Sequence, residues 1–285
     1  MKSYPHLFSK LFASPLMLHA PVRTSFESQL LSRMLGESAP MAVHISKPRA
    51  DDGMEDPQGR TAQVYKRYSN VAVITIDGVI DKRISSFEME CYGGVDLSDV
   101  DAALAQAAND PRVNTVVLDI NSPGGSVIGV PDTAARIAKL RETKEVHAYI
   151  NVMACSAGYY LASQADVIAA SPSAIVGSIG VYCAILDASE YYAKMGAKMQ
   201  FVKAGEFKTM GTEWRPLTPD ETKLLQAGVN TNYAQFKAAC TALRPIEDST
   251  MQGQWFTAEE GQKLYLVDQL TGATLDEYVA GLLMA

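Results

Sequence analysis

The stretch 113-VNTVVLDINSPGGSV-127 joins a β-branched apolar run to a loop holding two adjacent glycines, and its reading decides the fold class. Val113 to Ile120 is apolar almost throughout, the mark of a strand buried on both faces rather than of a half-exposed one. Ahead of it, SDVDAALAQAAND (98–110) has helical periodicity and opens with Ser98 and Asp101 in capping-box spacing. After the glycines the spacing predicts a helix near 130–142. The alternation recurs on both sides: VAVITIDG (71–78) reads as a strand, 146–152 as another, and a helix begins at Ser156. The short run DVIAA (166–170) is a further strand, and MQFVKAG (199–205) is read as one more after a helix near 187–195. Two later helices are announced by Thr218-Pro219-Asp220-Glu221 and Thr257-Ala258-Glu259-Glu260, both in capping-box spacing. Strands alternating with helices imply an α/β fold around a sheet covered on both faces. No repeat is visible in the sequence.

Composition narrows the function. A chain of 285 residues with 47% hydrophobic content can bury a sizeable core, and a net charge of -7 without any Lys/Arg block excludes nucleic acid as a partner class. Cys91, Cys155, Cys183 and Cys240 lie far apart with no CxxC pair, the pattern of reduced thiols rather than of a zinc site or disulfide framework. The segment KLFASPLMLHA (10–20) resembles a signal-peptide core, but Pro15 and His19 interrupt it and it is far shorter than the ~20 apolar residues a membrane span needs. An N-terminal arm is expected there, followed by a polar linker over 46–63, so that 1–66 is arm and linker and 67–285 the folded domain.

In such folds the chemistry sits at the carboxyl ends of strands. Gly124 and Gly125 allow close backbone approach and free N–H groups, suited to an anion or oxyanion, but also to an ordinary tight turn. Ser156, in MACSAGYYLAS (153–163), opens a helix; it reads either as a nucleophile or as an N-cap, whose removal costs about 1 kcal/mol. A nucleophile needs a base. Of the four histidines, His6, His19 and His44 lie in the arm, and His147 alternates within a strand, as a hydrogen-bonded core or surface imidazole does. Lysine is the other base that serves serine, where desolvation makes the neutral amine accessible. Lys208, in VKAGEFKTMG, follows a strand in an apolar and glycine context; a surface hairpin lysine is the competing reading.

Four segments taken together, DINSPGGSV, ACSAGYYLASQADVIAASPSAIVGSIGVY, GEFKTMG and WFTAEEGQKLYLVDQL, resemble in order and spacing the signal peptide peptidase A family of serine proteases, over roughly residues 70–275. The likeness is strongest to its phage branch, the head maturation or capsid assembly proteases related to minor capsid protein C. The resemblance implies the spiral α/β fold shared with the Clp protease and crotonases, with helices covering the sheet. It implies Ser156 as nucleophile, Lys208 as general base, Ser178 as a hydroxyl that supports the lysine, and Gly124 and Gly125 as the oxyanion loop. No metal or organic cofactor is expected. Ala157 stands where many members carry glycine, as it does in much of the phage branch.

The resemblance also implies polypeptide substrates, such as scaffold, portal or capsid protein, and a ring-shaped homo-oligomer in which a neighbouring chain supplies the lysine. With no stable membrane anchor in the sequence, the expected location is the host cytoplasm or the assembling capsid. Three alternatives stand beside this reading: a cellular signal peptide peptidase, a catalytically inactive capsid assembly factor, and an acyl-CoA enzyme of the crotonase type, which would not need the Ser156 and Lys208 pair.

Overall fold

A computed structural model describes residues 16–18, 64–84 and 94–284. The linker expected over 46–63, most of the N-terminal arm with its three histidines, and Cys91 lie outside the described residues.

Six strands form the main sheet. They are β2 (Tyr65–Tyr68), β3 (Val71–Asp77), β6 (Thr115–Asn121), β8 (Glu145–Ile150), β10 (Val167–Ala170) and β13 (Gln269–Leu270), in the order β13-β10-β8-β6-β3-β2. All neighbours are parallel except β2 and β3. A second set of very short strands makes two small sheets. One contains β1 (Leu16–Leu18), β7 (Gly124–Ser126), β4 (Ile80–Asp81) and β5 (Val95–Asp96), in that order; the other contains β12 (Trp255–Thr257), β11 (Ile175–Gly177) and β9 (Met153–Cys155).

Chain order and sheet order together reveal a structural repeat that the sequence hides. Each turn lays one strand in the main sheet, the next in a small sheet, and, in the first three turns, then a helix. The turns are β3 and β4 (with β5) then α1 (Leu97–Asn109), β6 and β7 then α2 (Val130–Leu140), β8 and β9 then α3 (Ala157–Ala162), and finally β10 and β11. Since β3, β6, β8 and β10 are successive neighbours in the main sheet, the chain advances one strand per turn in a spiral. The α/β spiral expected from the sequence is therefore present.

Alternation within the strands places the core. Ala72, Ile74 and Ile76 of β3 with Val116, Leu118 and Ile120 of β6 face α1, α2 and α3, and are buried. The other sheet face, with Val71, Val73, Val117 and Tyr149, is covered by Tyr278 and Val279 of α7 (Leu275–Met284). Both faces are covered over most of their length, hence the near-continuous apolar runs, with Thr75, Asp77 and Asp119 only partly buried at the carboxyl ends.

Several local expectations hold and two do not. Thr218 and Thr257 cap α5 (Pro219–Thr241) and α6 (Ala258–Lys263), each in a complete capping box. For α1 the cap is Asp96, whose carboxylate accepts from Ser98 N–H at 2.8 Å, not Ser98 itself. Asp96 also accepts from Arg83 and Ile84 N–H, so one side chain serves both the helix and the strand beside it. The strand expected at 199–205 does not form. A short helix, α4 (Ser189–Lys194), precedes it as expected, but no described strand lies beside MQFVKAG to complete its backbone hydrogen bonds, and it stays exposed and irregular.

Candidate active site

The small sheets bring three loops to one place. Ser122, fully buried after β6, ties them: its Oγ donates to Gly78 O at 2.7 Å, its N–H donates to Met153 O and its carbonyl accepts from Cys155 N–H, both at 2.9 Å. The loop carrying Gly124 is thus bolted to the strand that ends at Cys155.

Ser156 follows that strand directly. Its N–H donates to Gly177 O at 2.8 Å and its carbonyl accepts from Tyr160 N–H at 2.9 Å, so the backbone is committed on both sides. Its φ of 53 and ψ of -118 lie in a region that L-residues rarely adopt. The side chain is buried and makes no capping hydrogen bond, so Ser156 starts α3 by position without serving as its cap. A strained corner between strand and helix, with a hydroxyl that caps nothing among the described residues, resembles in geometry a nucleophile elbow. The helix behind it is firmly seated. Tyr160 stacks on Phe236 of α5 with ring centroids 4.8 Å apart, and the buried Arg244 donates to the carbonyls of Ser163 and Ala165 at its C-terminal end, both at 3.0 Å.

Gly124 faces Ser156. A Cβ on Gly124 would fall 2.9 Å from Ser156 Cβ and 3.0 Å from Ala157 N, and its φ of 99 independently favours glycine. A Cβ on Gly125 would fall 1.8 Å from Ile80 O, so the second glycine is required by the close approach of β4. The Gly124 N–H reaches Ser122 Oγ at 3.1 Å. Ala157 and Gly158 open α3, where N–H groups have no intrahelical acceptor. Gly158 in turn lets Ser122 pack against the helix, for a Cβ there would meet Ser122 O at 3.0 Å.

Ser178 lies beside Ser156, because Cys155 and Gly177 are partners in the parallel β9–β11 pair and each serine follows one of them. It too has φ 53, is buried, and donates its N–H to Gln254 O at 2.6 Å. Cys155 is no rival nucleophile, since burial pushes its thiol up to about 12. Cys155 and Cys240 are buried and Cys183 is half-buried. His147, the only histidine among the described residues, is buried with its Nδ1 2.8 Å from Tyr278 Oη and its Nε2 3.0 Å from Glu145 Oε1. It serves the sheet and α7, as read from the sequence.

Lys208 is the expected site residue that the fold does not bring in. No residue from 180 to 220 is buried, and Lys208 sits in an exposed turn with its N–H on Gly205 O at 3.3 Å. Among the described residues no hydrogen bond or ion pair joins its ammonium to Ser156. The segment is nevertheless organised. Tyr192 and Trp214 stack with centroids 3.8 Å apart, and Arg215 grips Glu221 through two hydrogen bonds of 2.6 and 2.8 Å while donating to Thr209 O, next to Lys208. That guanidinium, with the Thr218 N–H, lowers the Glu221 carboxyl to about 2.

Sequence reasoning missed Ser122, Gly158 and the Arg215–Glu221 clamp. Only the clamp had a visible signal, the capping-box glutamate that Arg215 precedes.

A strained serine between two glycine-cleared loops on an α/β spiral is an arrangement compatible with a serine-hydrolase site. Residues 138–280 match the family model of peptidase family S49, and the chain belongs to that family. Capsid assembly protease C of Escherichia phage lambda is 29% identical over 285 residues, 96% of this chain and 64% of that protein. The head-tail preconnector protein GP5 of Enterobacteria phage P21 is 27% identical over 96% of this chain and 56% of its own length. Protease 4 of Salmonella typhi is 30% identical, over 64% of this chain and 30% of its own. The chain thus spans less than two thirds of these relatives. A solved enoyl-CoA hydratase from Shewanella pealeana superposes with a TM-score of 0.44 at 11% identity, over 81% of this chain and 79% of that one. No helix among the described residues is long and apolar enough to cross a membrane.

Proposed function

We propose that the chain is a serine endopeptidase of capsid assembly, with Ser156 as nucleophile and Lys208 of a neighbouring subunit as general base. The observation that carries the reading is Ser156 itself: a buried serine whose side chain makes no capping hydrogen bond, held at a strained corner against Gly124 and Ala157 N–H. The neutral amine of Lys208 takes the Ser156 Oγ proton as Oγ bonds to a peptide carbonyl carbon. The resulting oxyanion is met by the N–H groups of Ala157 and Gly125, the Gly124 N–H being taken up by Ser122 Oγ, and one such donor lowers a barrier of this kind by about 3 kcal/mol. Lys208 passes the proton to the leaving amine as the C–N bond breaks, and water then hydrolyses the acyl-enzyme. Ser178, beside Ser156, is placed to hold the arriving lysine. No cofactor takes part.

Assembly between subunits is supported by the 180–220 segment. It has no buried residue of its own, yet exposes Met195, Met199 and Val202, the last at 94%. Apolar surface gathered on one projecting segment is what a subunit contact requires. A closed ring repeats one heterologous contact, each chain giving a lysine to one neighbour and receiving one from the other. The similarity to the phage proteins runs through 96% of the chain, against 64% for Protease 4, which favours head proteins as substrates and the host cytoplasm or the assembling capsid as the place of action.

The test mixes Ser156→Ala with Lys208→Ala subunits, each inactive alone, and allows exchange. With random assembly of equal amounts, a wild-type serine meets a wild-type lysine at about a quarter of interfaces, so about a quarter of wild-type peptidase activity should return. No recovery under conditions where wild-type subunits exchange would place the dyad within one chain or discard it.

A further inference from the structure

A short strand of the protein's own chain lies beside the candidate site. Leu16–Leu18 lies antiparallel to β7, with Leu18 opposite Gly124, Met17 opposite Gly125 and Leu16 opposite Ser126. On its other side Leu16 exchanges both backbone hydrogen bonds with Tyr182, at 2.8 and 3.1 Å. Backbone groups alternate in direction along a strand, so with those of Leu16 turned to Tyr182, those of Met17 turn to Gly125. The segment therefore lies between the glycine loop and the chain just beyond Ser178, bonded to both, in the way an extended peptide augments an open sheet edge.

Its position relative to the nucleophile is equally specific. The point where a Gly124 Cβ would sit is 2.1 Å from Met17 O and 2.9 Å from Ser156 Cβ, so the Met17 carbonyl and Ser156 meet across the bare Cα of Gly124. The segment runs so that its C-terminal end, Leu18, is opposite Gly124. The Met17 side chain is fully buried in the main core and Leu16 is nearly so.

We propose that residues 16–18 are a built-in ligand of the protease cleft: substrates bind as the same antiparallel strand on Gly124–Ser126, with a large apolar side chain in the Met17 pocket, and must displace the segment to do so. This rests on Ser156 being the nucleophile. The substrate class that follows is an unfolded or locally extended chain carrying adjacent apolar residues, since a folded surface offers neither a free strand nor a side chain to bury. The segment regulates by competition, because an occupied cleft weakens apparent substrate affinity by the fraction of molecules that are open.

Two variants unseat the strand by different means. Met17→Asp forbids burial of the side chain, and Met17→Pro removes the N–H that faces Gly125. In full-length, assembled protein each should lower KM for an apolar peptide at least about fivefold, the change falling on KM rather than kcat, given an open fraction below about one in five in the parent. A labelled peptide SPLMLHA, copying residues 14–20, should bind Met17→Asp/Ser156→Ala at least about fivefold more tightly than Ser156→Ala alone, and SPLDLHA should not bind. The binding arm needs no catalysis, so it tests the occupied cleft even if Ser156 proves not to be the nucleophile; loss of Ser156-dependent peptidase activity in the parent would indict that assignment instead. Unchanged KM in both variants with melting temperatures preserved overturns the proposal, whether the segment has been cut away or never held the cleft. Equal affinity of SPLMLHA for both proteins overturns it as well.

Discussion

Replacing Ser156 by alanine and by glycine separates the residue's chemistry from its backbone. Because the hydroxyl makes no capping bond, Ser156→Ala should leave stability within about 0.5 kcal/mol of the parent, rather than the 1 kcal/mol of a lost N-cap, while abolishing peptidase activity. Ser156→Gly removes a buried Cβ, worth about 0.8 kcal/mol, and loosens the unfolded chain by a further 0.4–1 kcal/mol. At an ordinary position glycine would thus be about 1.5 kcal/mol worse than alanine. At φ 53 and ψ -118, however, alanine keeps a strain of about 1–3 kcal/mol that glycine does not feel. The two effects offset, and Ser156→Gly should be as stable as Ser156→Ala or up to about 1 kcal/mol more so, a rise of roughly 2–4 °C in melting temperature for a domain of this size. Calorimetry of the two inactive variants measures the difference directly. A glycine variant more than about 1 kcal/mol less stable than the alanine variant would show that the corner is not strained, and would remove the physical basis for reading it as an elbow.

Two further outcomes are expected. Gly124→Ala combines an unfavourable φ with contacts against Met17 O, Ser156 Cβ and Ala157 N, so it should cost about 3 kcal/mol of stability and at least about a hundredfold in kcat/KM. Asp119, raised to about 6 by burial and by the neighbouring Asp77, binds its proton more tightly folded than unfolded, so its contribution is fully present below about pH 4 and is lost as pH rises toward and through 6; Asp119→Asn should add about 2 kcal/mol at pH 7, and denaturation as a function of pH should lose that slope.

How much of this could be read beforehand depended on the length of each element. The runs 71–78 and 113–120 are long enough for composition to declare a buried strand, and both form. The strands that build the site are two or three residues long, and β7 is Gly-Gly-Ser, which no propensity would call a strand. Its extended form comes from the close approach of β4, which only glycine permits, and from the segment 16–18 on its other side. MQFVKAG shows the converse: strand composition without a partner edge makes no strand. Ser156 was legible as either a nucleophile or an N-cap, and the resemblance chose between them; Ser178 came from the resemblance alone, because a positive φ one residue past a paired strand end leaves no trace in residue identity. Lys208 was a candidate from its apolar and glycine context, with a surface lysine as the competing reading; the resemblance chose the base, and one chain gives it no buried surroundings.

That last fact follows from the architecture. Each turn of the spiral ends in a short strand whose neighbour belongs to the next turn, so successive corners are stacked by the same pairing that builds the small sheets. Ser122, Ser156 and Ser178 sit at three consecutive corners, and main-chain bonds link each to the next: Cys155 N–H to Ser122 O, then Ser156 N–H to Gly177 O. A nucleophile and its oxyanion donors can therefore be set by backbone geometry alone. A base cannot, because an amine must be carried in on a long side chain and shielded from water, and after Ile179 the chain leaves the spiral and has no buried residue until Glu221. Under the proposed dyad the spiral supplies half of the site, the Arg215–Glu221 clamp organises the segment beside Lys208, and Leu16–Leu18 pairs with the glycine strand. Under the proposed dyad, a single chain would hold a formed nucleophile without a working base, so that docking of a neighbour, rather than folding, becomes the step that turns proteolysis on.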